Sequence, residues 1–225
     1  MFGVVDETRS LAYNEVFVQY SAQLTEPNAQ ILPHIGPVLV SKNPMMVGGD
    51  VRVFDAVYRP QLRTMVDVIV FPATGSRPLP NQIAGSDLDG DEYVVIFDTN
   101  LIFKHNERPL CYTPAKLTET SPEERCPMFR NTDDAAQFFV RQMNENIIGQ
   151  FGNRHLGLSD LFGVRSRKSG LVAIKSSQMV DFPKSGILPA PLGRDEGLPM
   201  WPDFMEKHDH SLTYPSHRLI GQLYR

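Results

Sequence analysis

Cysteine is nearly absent from this sequence, and that scarcity excludes several classes at once. Cys111 and Cys126 are the only two copies, and they stand too far apart for a CxxC metal knuckle. Two thiols in 225 residues read as idle or buried groups in a reducing, intracellular setting, not as a disulfide framework. Long apolar runs are also missing, since none approaches the ~18 residues of a membrane span. The opening stretch MFGVVDETRS carries neither the basic nor the apolar region of a secretory signal. An excess of positive charge is missing too, with 22 Lys and Arg against 26 Asp and Glu. A net charge of −4 gives no electrostatic footprint for a self-sufficient polynucleotide binder. No internal repeat stands out. What remains, 41% hydrophobic and 21% charged residues, is the balance of an ordinary globular protein long enough for a real core.

Against that plain background one stretch is unusual: IAGSDLDGDEYVVIFD, residues 83–98. Asp87, Asp89 and Asp91 alternate, with Gly90 wedged between the last two. Two carboxylates about 4 Å apart near a surface repel by roughly 4 kcal/mol. A site that crowds them must protonate one or hold a cation. Hard oxygen ligands without Cys or clustered His favour Mg²⁺, Mn²⁺ or Ca²⁺ over Zn²⁺. Gly90 tolerates positive φ and lets the backbone turn the carboxylates towards one point. A solvated acidic turn is the competing reading, but the β-forming run YVVIF anchors this loop as binding loops are anchored. An EF-hand fails by spacing: counted from Asp87, the sixth residue is Glu92, not Gly, and the twelfth is Asp98. The proline-bearing GSRPLPNQ before the loop also argues against an entering helix. A phosphatase-type DxD would follow its strand, whereas here the strand follows the acids.

The chain changes character near residue 105. Before it come short β-rich runs, EVFVQYS, PVLVSKN, DVRVFDAV, MVDVIVFP and EYVVIFD, separated by Gly, Pro and Asn clusters as in a compact barrel or sandwich. Residues 1–105 are expected to form one closed β unit, with Val68, Val70, Val94 and Ile96 buried by alternation. A Pro-rich connector spans roughly 106–132. TDDAAQFFVRQMNENIIGQF then begins a helix, capped by Thr132, with Phe139, Met143 and Ile147 at i+4 spacing. A second helix is expected across LVAIKSSQMVDF, stopped by Pro183. The tail, with Trp201 and Phe204 as packing residues, is expected to wrap over the body. His208, His210 and His217 read as surface histidines, a metal cluster being the alternative.

Taken in order, GVVDETRSLAYNEVFVQYS, VSKNP, GGDVRVFDAV, DVIVFPATGSRP, GSDLDGDEYVV, VDFPKSG, WPDFMEK and LIGQLYR resemble the catalytic region of the eukaryotic RNA-dependent RNA polymerases of RNA silencing. A DxDGD alone is a weak signal; the ordered set, spread along nearly the whole chain, is strong. The resemblance implies an α+β fold. Residues 1–105 would be the second of two catalytic double-psi β-barrels, and 106–225 a mainly helical region. The first barrel would lie upstream, so the chain is expected to be a fragment. The resemblance further implies Mg²⁺, or Mn²⁺, held by Asp87, Asp89 and Asp91, and nucleotidyl transfer from NTPs to an RNA 3′-hydroxyl on an RNA template. RNA template and product, NTPs and small-RNA pathway proteins are the implied partners, with no membrane.

The same resemblance places Lys42, with Asn43 beside it, near the incoming nucleotide; an exposed lysine ending a strand is the competing reading. Arg52 and Arg77 become candidates for the RNA backbone, against ordinary surface ion pairing. Lys184 becomes a candidate for the nucleic-acid channel, and Asp50 is read as a turn residue. Two departures touch nucleotide or template contacts. MMVGGD replaces the Cys-Leu-His-Pro-Gly-Asp run common in relatives, and Leu79 stands where a His is frequent. The acidic balance and the missing first barrel make a remnant that binds RNA or a protein without turnover the rival class.

Overall fold

The computed structural model describes residues 1–26, 28–112, 131–144, 148–182, 188–207 and 209–225. The chain divides into two compact units, Met1–Cys111 and Tyr112–Arg225.

The first unit contains β1 (Phe2–Val5), β2 (Glu15–Ser21), β3 (Ile31–Pro33), β4 (Gly36–Ser41), β5 (Arg52–Ala56), β6 (Val68–Phe71), a one-turn helix α1 (Leu79–Gln82) and β7 (Val94–Ile96). Their order across the sheet is β1-β6-β2-β5-β4-β7, with β3 added to β2. The β1/β6 and β2/β5 pairs are parallel and the others antiparallel. The sheet then returns on itself. Phe2 and Glu92 form an antiparallel bridge, the Tyr93 N–H donates to the Met1 carbonyl at 2.7 Å, and the Gly3 N–H donates to the Asp91 carbonyl at 3.2 Å. Closing the sheet pairs the backbone groups of its edge strands. The closing seam carries Asp91.

Strands β2 and β6 are apolar on both faces because both faces are covered. Val16, Val18, Ile69 and Phe71 point into the inner core with Val38, Val40, Phe54 and Tyr93. Phe17 and Val70 join a second cluster with Leu11 and Leu62. The expected alternation needs one correction. Val70 is fully buried and Val68 packs on the second cluster, but Val94 is 44% exposed and Ile96 is only partly buried. Tyr93 sets the phase of β7 by entering the core, so Val95 and Phe97 follow it inward. In YVVIF both alternating sets are apolar, which hides the phase from a pattern reading. The PLPNQ segment also differs from expectation. It forms the helical turn α1, since proline in a first turn removes no intrahelical bond.

Asp6 pins the turn after β1. Its carboxylate accepts the N–H groups of Thr8 (2.9 Å) and Leu11 (2.8 Å), and the Thr8 hydroxyl (2.5 Å). Burial pushes its pKa up, but these hydrogen bonds outweigh that and hold it below the usual 3.8. A depressed carboxylate pKa means stability complete above the unfolded value and lost as pH falls through the folded one. Asp6→Asn should therefore cost about 1–2 kcal/mol near neutral pH. The gap to the unsubstituted chain should close in acid, once the pH has fallen through the folded-state pKa of Asp6. Urea unfolding at both pH values measures it, and a gap independent of pH contradicts the assignment.

In the second unit, α2 spans Thr132–Asn144, α3 Ile148–Phe162, α4 Arg167–Val180 and α5 Leu219–Tyr224, and β8 (Trp201–Pro202) pairs in parallel with β9 (Thr213–Tyr214). Phe151, Leu158, Val172, Met179 and Phe182 form its core, with Phe138 packed against them. Among the described side chains of α2, Phe138 packs inward and Phe139 and Met143 do not; those two are 60% and 66% exposed. Ile147 lies outside the described residues. The second expected helix starts earlier, at Arg167, because the Ser166 hydroxyl caps it by accepting the Ser169 N–H at 3.2 Å. The tail does fold back within this unit. Buried Asp160 on α3 accepts the Tyr214 hydroxyl at 2.7 Å and the Ser216 hydroxyl at 2.8 Å. Trp201 packs under Arg154 and Lys207, whose charged ends lie 5.3 and 4.8 Å from its ring centre. Phe204 is partly buried and His217 exposed, while His208 and the side chain of His210 lie outside the described residues. No helix among the described residues is long and apolar enough to cross a membrane.

Candidate metal centre

The acidic loop runs from α1 to β7, and unusual backbone geometry folds it tightly. Ala84, Gly85, Leu88 and Gly90 all have positive φ, with Gly90 at +112°. That region admits glycine freely and other residues rarely. Leu88 accepts it while its side chain packs on the inner core, tying the middle of the loop down. Gly3 makes room opposite: a methyl group there would meet the Tyr93 ring at 2.4 Å and the Leu88 side chain at 2.7 Å.

The result is convergence. One carboxylate oxygen from each of Asp87, Asp89 and Asp91 can be chosen so that all lie within 4.8 Å of one another. Asp87 and Asp89 are exposed, while Asp91 is partly buried on the seam. Asp91 is the organised member of the three. The Lys42 ammonium pairs with its Oδ1, the Ser86 hydroxyl donates to its Oδ2, and the Asp87 N–H reaches the same Oδ2 at 3.2 Å. Ser86 has one proton and gives it to Asp91, so at its contact with the Tyr93 hydroxyl it must accept. A relay from Tyr93 through Ser86 to Asp91 follows. Burial pushes the Asp91 pKa up, but the Lys42 and Ser86 hydrogen bonds and the Lys42 charge outweigh it and hold the group below the ordinary range. Burial raises the Tyr93 pKa, and the charges of all three aspartates raise it further against the Ser86 hydrogen bond. The phenol thus stays a donor.

Three carboxylates beside one ammonium leave a surplus of negative charge that a divalent cation would balance. Oxygen donors of this kind, open to solvent on the Asp87 and Asp89 side, fit a hard ion that keeps several water ligands. The donor set therefore passes the chemical test for a divalent metal.

The other expected residues fall in varied places. Lys42 joins the acidic loop directly, and Asn43 is exposed next to it. Arg52 departs from expectation: it is 7% exposed, and its guanidinium donates to the backbone carbonyls of Glu107 (3.0 Å) and Gly49 (3.4 Å). Burial, with repulsion from Arg77, lowers its pKa against an opposing contribution from Tyr13. This is an internal strut between the Gly49 and Glu107 carbonyls. Arg77 is spent similarly, on the Asn81 side chain and on the carbonyls of Asn81 and Leu110, each at 2.8 Å. Lys184 lies outside the described residues. Asp50 is fully buried, and it accepts the N–H groups of Met46 (2.9 Å), Val47 (3.0 Å) and Ala84 (3.2 Å). The MMVGGD segment is thereby tied to the root of the acidic loop. Gly49 allows the close fit, since a methyl there would stand 2.4 Å from the Arg108 carbonyl oxygen. Pattern reading missed Ser86 and Tyr93. One signal was available: Tyr93 lies two residues beyond Asp91, the spacing that returns a strand side chain to the same face.

Residues 1–225 match the family model described as RNA dependent RNA polymerase. The chain belongs to the RNA-dependent RNA polymerase family. It is 37% identical over 227 residues to RNA-dependent RNA polymerase 1 of Arabidopsis thaliana, covering 100% of this chain and 20% of that protein. It is 35% identical over 227 residues to the probable RNA-dependent RNA polymerase 1 of Oryza sativa subsp. japonica, covering 100% and 29%. With RNA-dependent RNA polymerase 1 of Schizosaccharomyces pombe it shares 29% identity over 248 residues, covering 100% and 20%. Among solved structures it is similar to RNA dependent RNA polymerase QDE-1 from Thielavia terrestris. That match has a TM-score of 0.66 and 27% identity, covering 84% of this chain and 22% of the other. This polymerase-family chain thus spans a fifth to three tenths of the length of these curated relatives. Its fold class is α+β, a double-psi β-barrel followed by a mainly helical region.

Proposed function

We propose that this chain carries the metal-binding half of an RNA-directed RNA polymerase centre that serves small-RNA production and gene silencing inside the cell. The observation that carries the reading is the convergence of Asp87, Asp89 and Asp91 at a barrel seam, in a chain matched over its whole length by the polymerase family. In the reaction, the 3′-hydroxyl oxygen of RNA bonds to the α-phosphorus of an NTP. The bond to pyrophosphate breaks, and the hydroxyl proton passes to solvent. Asp87, Asp89 and Asp91 would hold Mg²⁺, with Mn²⁺ as a substitute. Such an ion supplies Lewis-acid activation of the attacking hydroxyl and charge stabilisation of the phosphoryl oxygens. The chain's own groups prepare that site. Ser86 and Tyr93 orient Asp91, Lys42 offsets the crowded negative charge while no ion is bound, and Asp50 fixes the root of the loop. Fixed polar groups of this kind lower the reorganisation needed during reaction.

The test is a chimera in which residues 1–225 replace the matched segment of the Arabidopsis relative. Labelled NTP incorporation on single-stranded RNA is then measured with Mg²⁺. Template-dependent synthesis is expected. A folded chimera that binds Mn²⁺ yet makes no RNA favours the rival reading, a remnant that binds RNA or a protein without turnover.

A further inference from the structure

We propose that Lys42 is a built-in counter-cation of the acidic loop: it holds Asp91 while no divalent ion is bound and surrenders that oxygen when one enters. The inference rests on the metal reading above.

The two oxygens of Asp91 are held in different ways. Oδ2 accepts the Ser86 hydroxyl and the Asp87 N–H. Ser86 in turn meets the Tyr93 hydroxyl, and both residues are only 2% exposed. Neither can swing away without opening the core. Oδ1 is held by the Lys42 ammonium alone among the partners just named. Lysine carries its charge on a flexible four-carbon stem, and this side chain retains 22% exposure. Its backbone stays fixed, because the preceding Ser41 is in register with Val94. A metal can therefore recruit Asp91 most readily through Oδ1, and the group able to leave is the ammonium.

Two consequences follow, and they have opposite signs. Without metal, the ammonium offsets repulsion among the three carboxylates and stabilises the converged loop. On metal entry, the same positive charge competes for Asp91 and repels the ion. Removing it should destabilise the metal-free chain and tighten metal binding. A lysine that merely orients Asp91 as a ligand would, when removed, weaken binding. A passive surface lysine would change neither property.

The experiment uses the 225-residue chain with Lys42→Met and Lys42→Arg. Free Mn²⁺ is followed by electron paramagnetic resonance, and thermal unfolding is measured with and without Mg²⁺. Lys42→Met should melt lower without metal and show a larger rise on adding Mg²⁺. It should bind Mn²⁺ about tenfold more tightly, the order by which one adjacent charge moves a carboxylate's proton affinity. Lys42→Arg, which keeps the charge, should stay near the unsubstituted chain. In the unsubstituted chain, the Lys42 side-chain nuclear magnetic resonance signals should shift from paired to free as Mg²⁺ is added, a readout that needs no variant. Equal or weaker Mn²⁺ binding by Lys42→Met, or unmoved Lys42 signals at saturating Mg²⁺, overturns the proposal. An unsubstituted chain that binds no Mn²⁺ overturns the metal reading itself.

Discussion

Asp89→Asn, introduced into the polymerase chimera, should lower RNA synthesis by about 10³-fold or more while leaving thermal unfolding almost unchanged. A bound metal ion contributes several kcal/mol of transition-state charge stabilisation, and each ~1.4 kcal/mol is a factor of ten in rate. Asn keeps the shape of the side chain but removes the negative charge that recruits the ion. Asp89 is exposed, and surface substitutions of this kind usually change stability by less than about 0.5 kcal/mol. Loss of one of three crowded negative charges also relieves repulsion in the metal-free loop. Mn²⁺ affinity, RNA synthesis and melting temperature should be measured on the same preparation. Synthesis above about a tenth of the unsubstituted rate would show that Asp89 is not a metal ligand in the reaction.

The contrast between Asp89 and its surroundings explains what could be read in the sequence. The three aspartates, Gly90 and the strand behind them are neighbours along the chain, so their chemistry is visible as a motif. The order of the β-rich runs was equally visible, because each strand is short and bounded by turn residues. The partners of the motif were not. Lys42 reaches Asp91 across the β4/β7 pairing, and Gly3 meets Tyr93 only because the barrel closes. Such contacts depend on register, which a doubly apolar strand such as YVVIF leaves open.

Two further misreadings share one cause. In the sequence Arg52 is a candidate for the RNA backbone or an ordinary surface ion pair, because arginine is usually exposed. Here its stem and head are buried, and its Nη1 donates to carbonyls of Gly49 and Glu107, groups 3 and 55 positions away along the chain. The single helical run read over residues 132–151 takes in only the first turn of α3, whose sequence IGQFGNRHLGLSDLF carries three glycines. Its inward face also includes His155, Ser159 and Asp160, all buried. Periodicity counts polar residues as outward-facing, so a helix that buries polar side chains against a tail goes unseen.

The last expected result concerns Asp50, which touches no proposed ligand atom yet should control both stability and metal affinity. Its Oδ2 accepts two N–H groups, from Met46 and Val47, and its Oδ1 accepts the Ala84 N–H. Ala84 stands two residues before Ser86, the residue that orients Asp91. Asp50→Asn replaces one acceptor oxygen with an NH₂ group that can only donate. In either orientation the amide sets donor against donor inside a site with no exposure. The better orientation keeps the Met46 and Val47 bonds and gives up Ala84, costing about 1–3 kcal/mol for one buried donor left unpaired. Asp50→Ala strands all three donors and should cost more, roughly 3–5 kcal/mol. The root of the acidic loop then loosens in both variants, so Mn²⁺ affinity should fall although every carboxylate of the triad is intact. Urea unfolding of the 225-residue chain, paired with Mn²⁺ titration, separates this from Asp89→Asn, which should abolish binding without loss of stability. If Asp50→Asn unfolds within about 0.5 kcal/mol of the unsubstituted chain and binds Mn²⁺ equally well, the tie between the MMVGGD segment and the acidic loop contributes nothing to the site.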